Sequence, residues 1–294
     1  GNFLFAGSLI TAPGQSPWDI TPPDAAYAAA LHGFAWLDDL AAVGEKIGYP
    51  LFMKPYNGGA WAGVSKIDNE HDLREAYESS GKQVMILQKG VWPFEHFVRA
   101  VGVGPQVRLV KYQPDAPLHD RYGLDRGFLD SADVAEIVDT TLTINSFFGW
   151  DFNSCESLVR GSDVHPIDYA NACPDVALTS LHYYFPWAMK ALVKWTAFCV
   201  VTDRPVQLDL TTGDYYAIAD RDDLSYREKL TAYRAISDAH FDTERYMDFC
   251  DSRLAGLDAV ALEWFAGPEF DRLLVDTVAS TYPPGEHEQF LAHF

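Results

Sequence analysis

YPLFMKPYNGGAWAGVSKI, Tyr49–Ile67, sets an apolar run against a lysine and then a loop with almost no side-chain bulk. Leu51, Phe52 and Met53 read as the inner part of a strand over 50–54 that ends on Lys54, and a second strand is expected at 63–67. Gly58, Gly59 and Gly63 let the backbone approach an anion closely and tolerate positive φ, while the Lys54 ammonium supplies a point charge. Two readings follow: a phosphate grip, or a glycine-rich hairpin with a surface lysine. No GKS or GKT follows, so the loop is not a Walker loop, and a strand rather than a helix comes after it.

Working outward, a helix is predicted over 35–47 and stops at Gly48. Asp68 or Asn69 caps a helix over 70–80 with Asp72 in its first turn, and a strand follows over 84–88. Strands at 94–103 and 107–112 alternate apolar with polar residues around a Gly104-Pro105 turn. A polar loop over 113–130 precedes a helix over 132–145. Two more strands, about 148–159 and 164–169, flank a Gly161-Ser162-Asp163 turn. A single long aromatic helix is predicted over 178–200, its stripe at 181–195 reading as core because its period is helical. Further helices are predicted over 222–240, 243–255 and 268–280.

The chain has 294 residues, 48% hydrophobic, enough to bury a substantial core in one large or two smaller domains. A formal net charge of -20 opposes a phosphate backbone, so nucleic acid is not an expected partner. A small anion remains admissible wherever Lys, Arg and backbone N–H groups cluster. Cys155, Cys173, Cys199 and Cys250 form no CxxC pair, which argues against a zinc site or a disulfide scaffold. The expected setting is reduced and cytoplasmic. The segment 185–201 carries Lys190 and Lys194, too charged and too short to span a bilayer, so no membrane partner is expected.

A second constellation lies in FNSCESLVRGSDVHPIDYANACPD, Phe152–Asp175. If its two strands pair antiparallel, Glu156 and Asp168 face each other, with Asn171 just beyond. Two carboxylates and an amide oxygen converging on one point repel unless protonated or bridged by a cation. Hard oxygen ligands of this kind suit Mg²⁺ shared with phosphate oxygens. The alternative is a polar hairpin exposed to water.

KPYNGGAWAGVSKI, the capped helix after it, VMILQKGV and the carboxylate hairpin ending IDYANACPD come in an order that resembles the ATP-grasp superfamily, over roughly residues 40–200. The resemblance implies an α+β fold. Two subdomains with antiparallel sheets clamp ATP, here expected at 35–92 and 93–201. Residues 1–34 would be a connector or the remnant of a preceding domain, and 202–294 an acidic helical region. Many members are carboxylate–amine ligases, so small-molecule carboxylate and amine substrates are implied, with ATP and Mg²⁺ as cofactors.

Carried over by position, Lys54 contacts the α- and β-phosphates under a flap of Gly58, Gly59 and Gly63. Gln88, Lys89, Gly90 and Val91 form the hinge beside adenine, and Glu95 holds the ribose hydroxyls. Glu156, Asp168 and Asn171 bind one or two Mg²⁺. Arg99, Arg108 and Lys111 face the γ-phosphate and acyl group, or else form a solvated strand face paired with acids. Arg121 and Arg126 close over the substrate from the polar loop.

Three features depart from the pattern. The usual Glu-x-Asn ending is Asp168-Tyr169-Ala170-Asn171, and Gln88 stands where an acid is common. The earlier phosphate-binding lysine of the family is also missing: before Lys54 there is only Lys46, inside a predicted helix. The chain opens GNFLF without an initiator Met, which reads as a piece of a longer protein. A nucleotide-binding module without turnover, and ATP-grasp chemistry on a non-amine acceptor, stay open beside the ligase reading.

Overall fold

The computed structural model describes residues 2–5, 8–11, 21, 23–24, 35–57, 62–125, 127–206 and 212–294. The class is α+β, and the chain divides into two compact units, Gly1–Pro93 and Phe94–Phe294.

In the first unit, β1 (Asn2–Phe5) pairs antiparallel with β2 (Ser8–Thr11) within the segment expected to be a connector. After α1 (Ala35–Ile47) come β3 (Leu51–Pro55), β4 (Ser65–Ile67), α2 (Glu70–Ser79) and β5 (Met85–Lys89). The three strands make an antiparallel sheet in the order β4-β3-β5. Leu51, Met53 and Ile67 are buried on one face with Leu73 of α2, and Leu40 and Ile47 of α1 pack against them. Strand alternation therefore turns Phe52 and Lys54 to the opposite face. Asn69 caps α2 by accepting a hydrogen bond from the Asp72 N–H at 3.0 Å.

The second unit is built on five antiparallel strands in the order β10-β9-β6-β7-β8. These are β6 (His96–Val103), β7 (Gln106–Tyr112), β8 (Tyr122–Gly123), β9 (Phe152–Arg160) and β10 (Asp163–Ala172). Between β8 and β9 runs α3 (Ser131–Phe148), capped by Asp130, which accepts from the Ala132 and Asp133 N–H groups. Ile137 of α3 packs on Val98, Ala100, Cys155 and Val159, so α3 covers one face of the sheet. The other face carries Arg99, Arg108, Glu156 and their register partners.

The long aromatic helix predicted over 178–200 is broken. It consists of α4 (Leu178–Leu181), a 3₁₀ turn at His182–Tyr184 and α5 (Phe185–Val201). Pro186 explains the break: it has no N–H to donate and its ring clashes with the carbonyl four residues back, so it can only open a helix. Trp195 and Phe198 of α5 join Val103, Leu142, Phe241 and Tyr246 in a second core. The helices α6 (Gly213–Ala219), α7 (Tyr226–Phe241), α8 (Thr243–Arg253), α9 (Leu257–Phe265), α10 (Pro268–Thr281) and α11 (His287–His293) complete the unit. Of these, α6, α9 and α11 were not expected. Among the described residues, no helix is long and apolar enough to cross a membrane.

Candidate functional site

On the first unit, Lys54 lies opposite Ile86 and Phe52 opposite both Lys66 and Gln88. Lys54 and Gln88 therefore share the face turned away from α1 and α2. Lys89 pairs with Leu51 and alternates to the helix side, where it is exposed. The Gly90 N–H donates to the Pro50 carbonyl at 2.9 Å, and a Cβ on Gly90 would meet that same oxygen at 2.7 Å. Only glycine lets the chain cross there, and it leads into half-buried Val91. Gly63 has φ +73, the left-handed conformation expected of a flap glycine, while Gly58 and Gly59 lie outside the described residues.

On the second unit, register brings charged side chains into line across the sheet. Arg99 is the partner of Glu156, and Glu156 is the partner of Asp168. Three adjacent strands thus present Arg99, Glu156 and Asp168 on one face. The next row on that face runs Arg108, Val101, Ser154 and Asn171.

Asp168 and Asn171 are three residues apart, a spacing that in a regular strand puts them on opposite faces. Their partners Glu156 and Ser154 are only two apart, so β10 carries an extra residue at this point. That bulge returns Asn171 to the face of Asp168. The insertion in Asp168-Tyr169-Ala170-Asn171 is absorbed by the backbone, and the side chains stand as a two-residue spacing would place them. Asn171 then donates from Nδ2 to Ser154 Oγ at 2.8 Å, which fixes the amide rotamer.

Arg99 is held on several sides. Its Nε donates to Ser154 Oγ at 3.2 Å and its Nη1 to the Tyr122 hydroxyl at 2.7 Å. Nη1 also stands 3.9 Å from Glu156 Oε1, and the guanidinium lies over the Tyr112 and Tyr122 rings. Arg99 offsets one of two facing carboxylates that would otherwise repel across the strands. Burial pushes the Tyr122 phenol up to about 12, with Arg99 pulling against it, so Tyr122 stays a neutral partner at ordinary pH.

Lys111 is placed elsewhere. It pairs with Val98, one residue out of phase with Arg99, and so projects from the α3 side of the sheet. There it bonds Asp125 at 3.1 Å and lies over the Phe128 ring. The expectation that it stands with the two arginines is corrected by this alternation.

Glu95 accepts from the Gly161 N–H at 3.0 Å at the β9–β10 turn, leaving its other oxygen for a further partner. Arg121 folds back on its own loop, donating to the Ala116 carbonyl at 3.0 Å, and Arg126 lies outside the described residues. Cys155 faces α3, and burial pushes its thiol up to about 12, far from a nucleophilic thiolate.

Sequence reading missed Ser154 and Tyr122. Ser154 was legible in principle, because it stands two residues before Glu156 and shares its face. Tyr122 lies 23 residues from Arg99 on a two-residue strand, and no local pattern announces it.

The oxygen donors that register brings to this face beside Ser154 are two carboxylates and one amide. Among the described residues, no cluster of three or more His, Cys, Asp or Glu is placed to hold a metal. An ion held by this set alone would be under-coordinated, which suits Mg²⁺ completing its shell with phosphate oxygens and water.

No family model matches the chain. The D-alanine–D-alanine ligase of Streptococcus mutans is 45% identical over 56 residues, 19% of this chain and 16% of that protein. The D-alanine–D-alanine ligase of Streptomyces griseus is 29% identical over 154 residues, 42% of this chain and 36% of that protein. The chain spans little more than a third, or less, of the length of these curated relatives. Among solved structures, the D-alanine–D-alanine ligase of Bacillus anthracis complexed with ATP aligns with a TM-score of 0.42 and 12% identity, over 54% of this chain and 56% of that one.

Proposed function

We propose that the protein is an ATP- and Mg²⁺-dependent carboxylate–amine ligase. The observation that carries this reading is the line of Arg99, Glu156 and Asp168 across three strands, with Asn171 returned to the same face by the β10 bulge. Lys54 supplies the cation for the α- and β-phosphates, and Gly63 the backbone freedom beside it. Gln88 through Val91 and Glu95 take the base and ribose.

When bound, Mg²⁺ would be held by Glu156, Asp168 and Asn171 and would neutralise charge on the β- and γ-phosphates. The substrate carboxylate oxygen takes the γ-phosphoryl group and ADP departs. The amine nitrogen then bonds to the acyl carbon, the carbon–oxygen bond to phosphate breaks, and the amine loses a proton. The chain's own part is positioning and charge neutralisation. Arg99, already fixed by Tyr122 and Ser154, needs no reorientation to face developing negative charge. No side chain acts as a covalent nucleophile.

The test is calorimetric titration with ATP at several Mg²⁺ concentrations, followed by ADP release with pooled carboxylates and amines. Metal-dependent ATP binding with ADP release supports the ligase. Binding without ADP release from any pool would leave a nucleotide-binding module, and failure to bind ATP would remove both readings.

A further inference from the structure

His293, the last residue of α11, meets two segments far along the chain: the 3₁₀ turn Leu118–Asp120 and the 3₁₀ turn His182–Tyr184. Its Nε2 stands 3.5 Å from Asp120 Oδ1, and its ring centroid lies 4.9 Å from that of His182 and 5.2 Å from that of His119. His119 Nε2 is 3.5 Å from the other oxygen of Asp120. Three imidazoles thus share one carboxylate.

The cluster is closely packed but poorly bonded. Phe290 of α11 stacks on Tyr282 with centroids 3.6 Å apart and meets His119 edge-on at 5.0 Å. His182 is buried, stacked on Tyr183 at 3.7 Å and edge-on to the Phe294 ring. Yet 3.5 Å is long for a hydrogen bond, and His293 Nε2 is otherwise buried without a partner among the described residues. His182 also holds φ +46 and ψ -108, a conformation costly for any side chain and kept only where the surroundings impose it.

Histidine changes charge between about pH 5 and 8. Asp120 can offset one proton on this cluster. A second proton puts two cations about 5 Å apart with a single carboxylate between them, a repulsion that shifts an opening equilibrium by about tenfold. The other neighbours do not relieve it. Tyr183 and the Phe294 ring cover His182 with neutral faces, and burial keeps Tyr282 neutral behind Phe290, with Glu286 and His287 beyond it. Burial, with His293 beside it, pushes His182 below its ordinary value of 6.5, and Asp120 pulls the other way. A histidine so depressed favours the closed, neutral cluster. Its contribution is therefore fully present above about pH 6.5 and lost as pH falls through the folded value.

Asp120 stands two residues before Tyr122, whose hydroxyl accepts from Arg99. We propose that His119, Asp120, His182 and His293 form an acid-released latch on the 113–123 segment. Near neutral pH it clamps α11 to that segment; below about pH 6, repulsion between its protonated rings opens it and frees Tyr122 from its place against Arg99. The device acts on the geometry of the sheet face whatever reaction that face performs.

Hydrogen exchange on the whole chain, with rates corrected for the intrinsic effect of pH, reads the latch without nucleotide or substrate. From about pH 7.5 to about pH 5.5, amide protection in 113–123 and 287–293 should fall together by about tenfold or more, while α3 keeps its protection. Asp120→Asn removes the offsetting charge and should move the opening to higher pH. His119→Gln combined with His293→Gln removes two of the three charges and should abolish the pH dependence. His71→Gln, on the exposed surface of α2, should leave it as it is. The wild-type measurement needs no variant, and melting temperatures near neutral pH show that each variant is folded. Protection unchanged over this range, or lost in only one of the two segments, would overturn the latch. So would an opening that survives the double glutamine variant or keeps its midpoint in Asp120→Asn. Equal loss of protection in α3 would mark general acid unfolding and would overturn it as well.

Discussion

Tyr122→Phe removes one oxygen and nothing else from the support of Arg99. The phenylalanine ring keeps the cation–π contact at 5.7 Å and leaves no cavity, whereas the 2.7 Å hydrogen bond from Arg99 Nη1 is lost. A hydrogen bond to a charged group contributes about 1.5–3 kcal/mol, so a loss of about 2 kcal/mol is expected at neutral pH. For a unit of this size that is a fall of about 4–8 °C in melting temperature. The pH dependence is the sharper part. Burial raises the folded phenol to about 12 from an ordinary value of 10.0, so folding favours its protonated form. Stability from this preference is fully present below about pH 10 and is lost as pH rises toward 12, amounting to about 2 kcal/mol by about pH 11.5. The variant has no such group. The gap between the two proteins should therefore hold from about pH 7 to 9.5 and close by about pH 11.5. Urea denaturation of both proteins across that range measures it, and the other titrating groups cancel in the difference. A gap that is constant or widens above pH 10 would refute the burial that holds the Tyr122 phenol protonated.

Asp168→Asn should weaken Mg²⁺-dependent ATP binding by about tenfold or more, because the ion loses a charged ligand. Asp223→Asn should not, since that carboxylate pairs with exposed Arg221; calorimetry at several Mg²⁺ levels compares them. Gly104→Ala should destabilise by about 2–5 kcal/mol, combining left-handed strain with overpacking. Its φ is +55 and a Cβ would stand 2.4 Å from Trp195, so chemical denaturation should reveal a large drop.

Where local chemistry dictates structure, the chain was readable. The Asn69 cap and the alternating strands around Gly104 follow from side chains within a few residues, and they stand where the sequence puts them. The break at His182–Tyr184 was also written locally, in Pro186, but the unbroken aromatic stripe overrode it. What could not be read is what depends on partners far along the chain. Lys111 differs from Arg99 only in phase, and that phase is set by the pairing register of β6 and β7, not by either residue's immediate neighbours. The pairing of Arg99 with Tyr122 crosses a loop whose course no periodic signal records.

The β10 bulge shows why spacing alone misjudges this site. Counted along the chain, Asp168-Tyr169-Ala170-Asn171 departs from a two-residue pattern and argues against shared ligation. Counted across the sheet, the extra residue falls between the pairs Asp168–Glu156 and Asn171–Ser154, and the faces agree again. A bulge has a structural consequence of its own: Tyr169, displaced from regular pairing, turns its carbonyl to accept from Asn153 Nδ2 at 3.0 Å, and Asn153 in turn donates to Asn145 Oδ1 of α3 at 2.8 Å. The insertion is thus anchored to the helix behind the sheet by buried amides, which resist slippage of β10 because a shift would leave them unpaired. Register, and with it the line of Arg99, Glu156 and Asp168, is held from the side opposite the one that carries the charges.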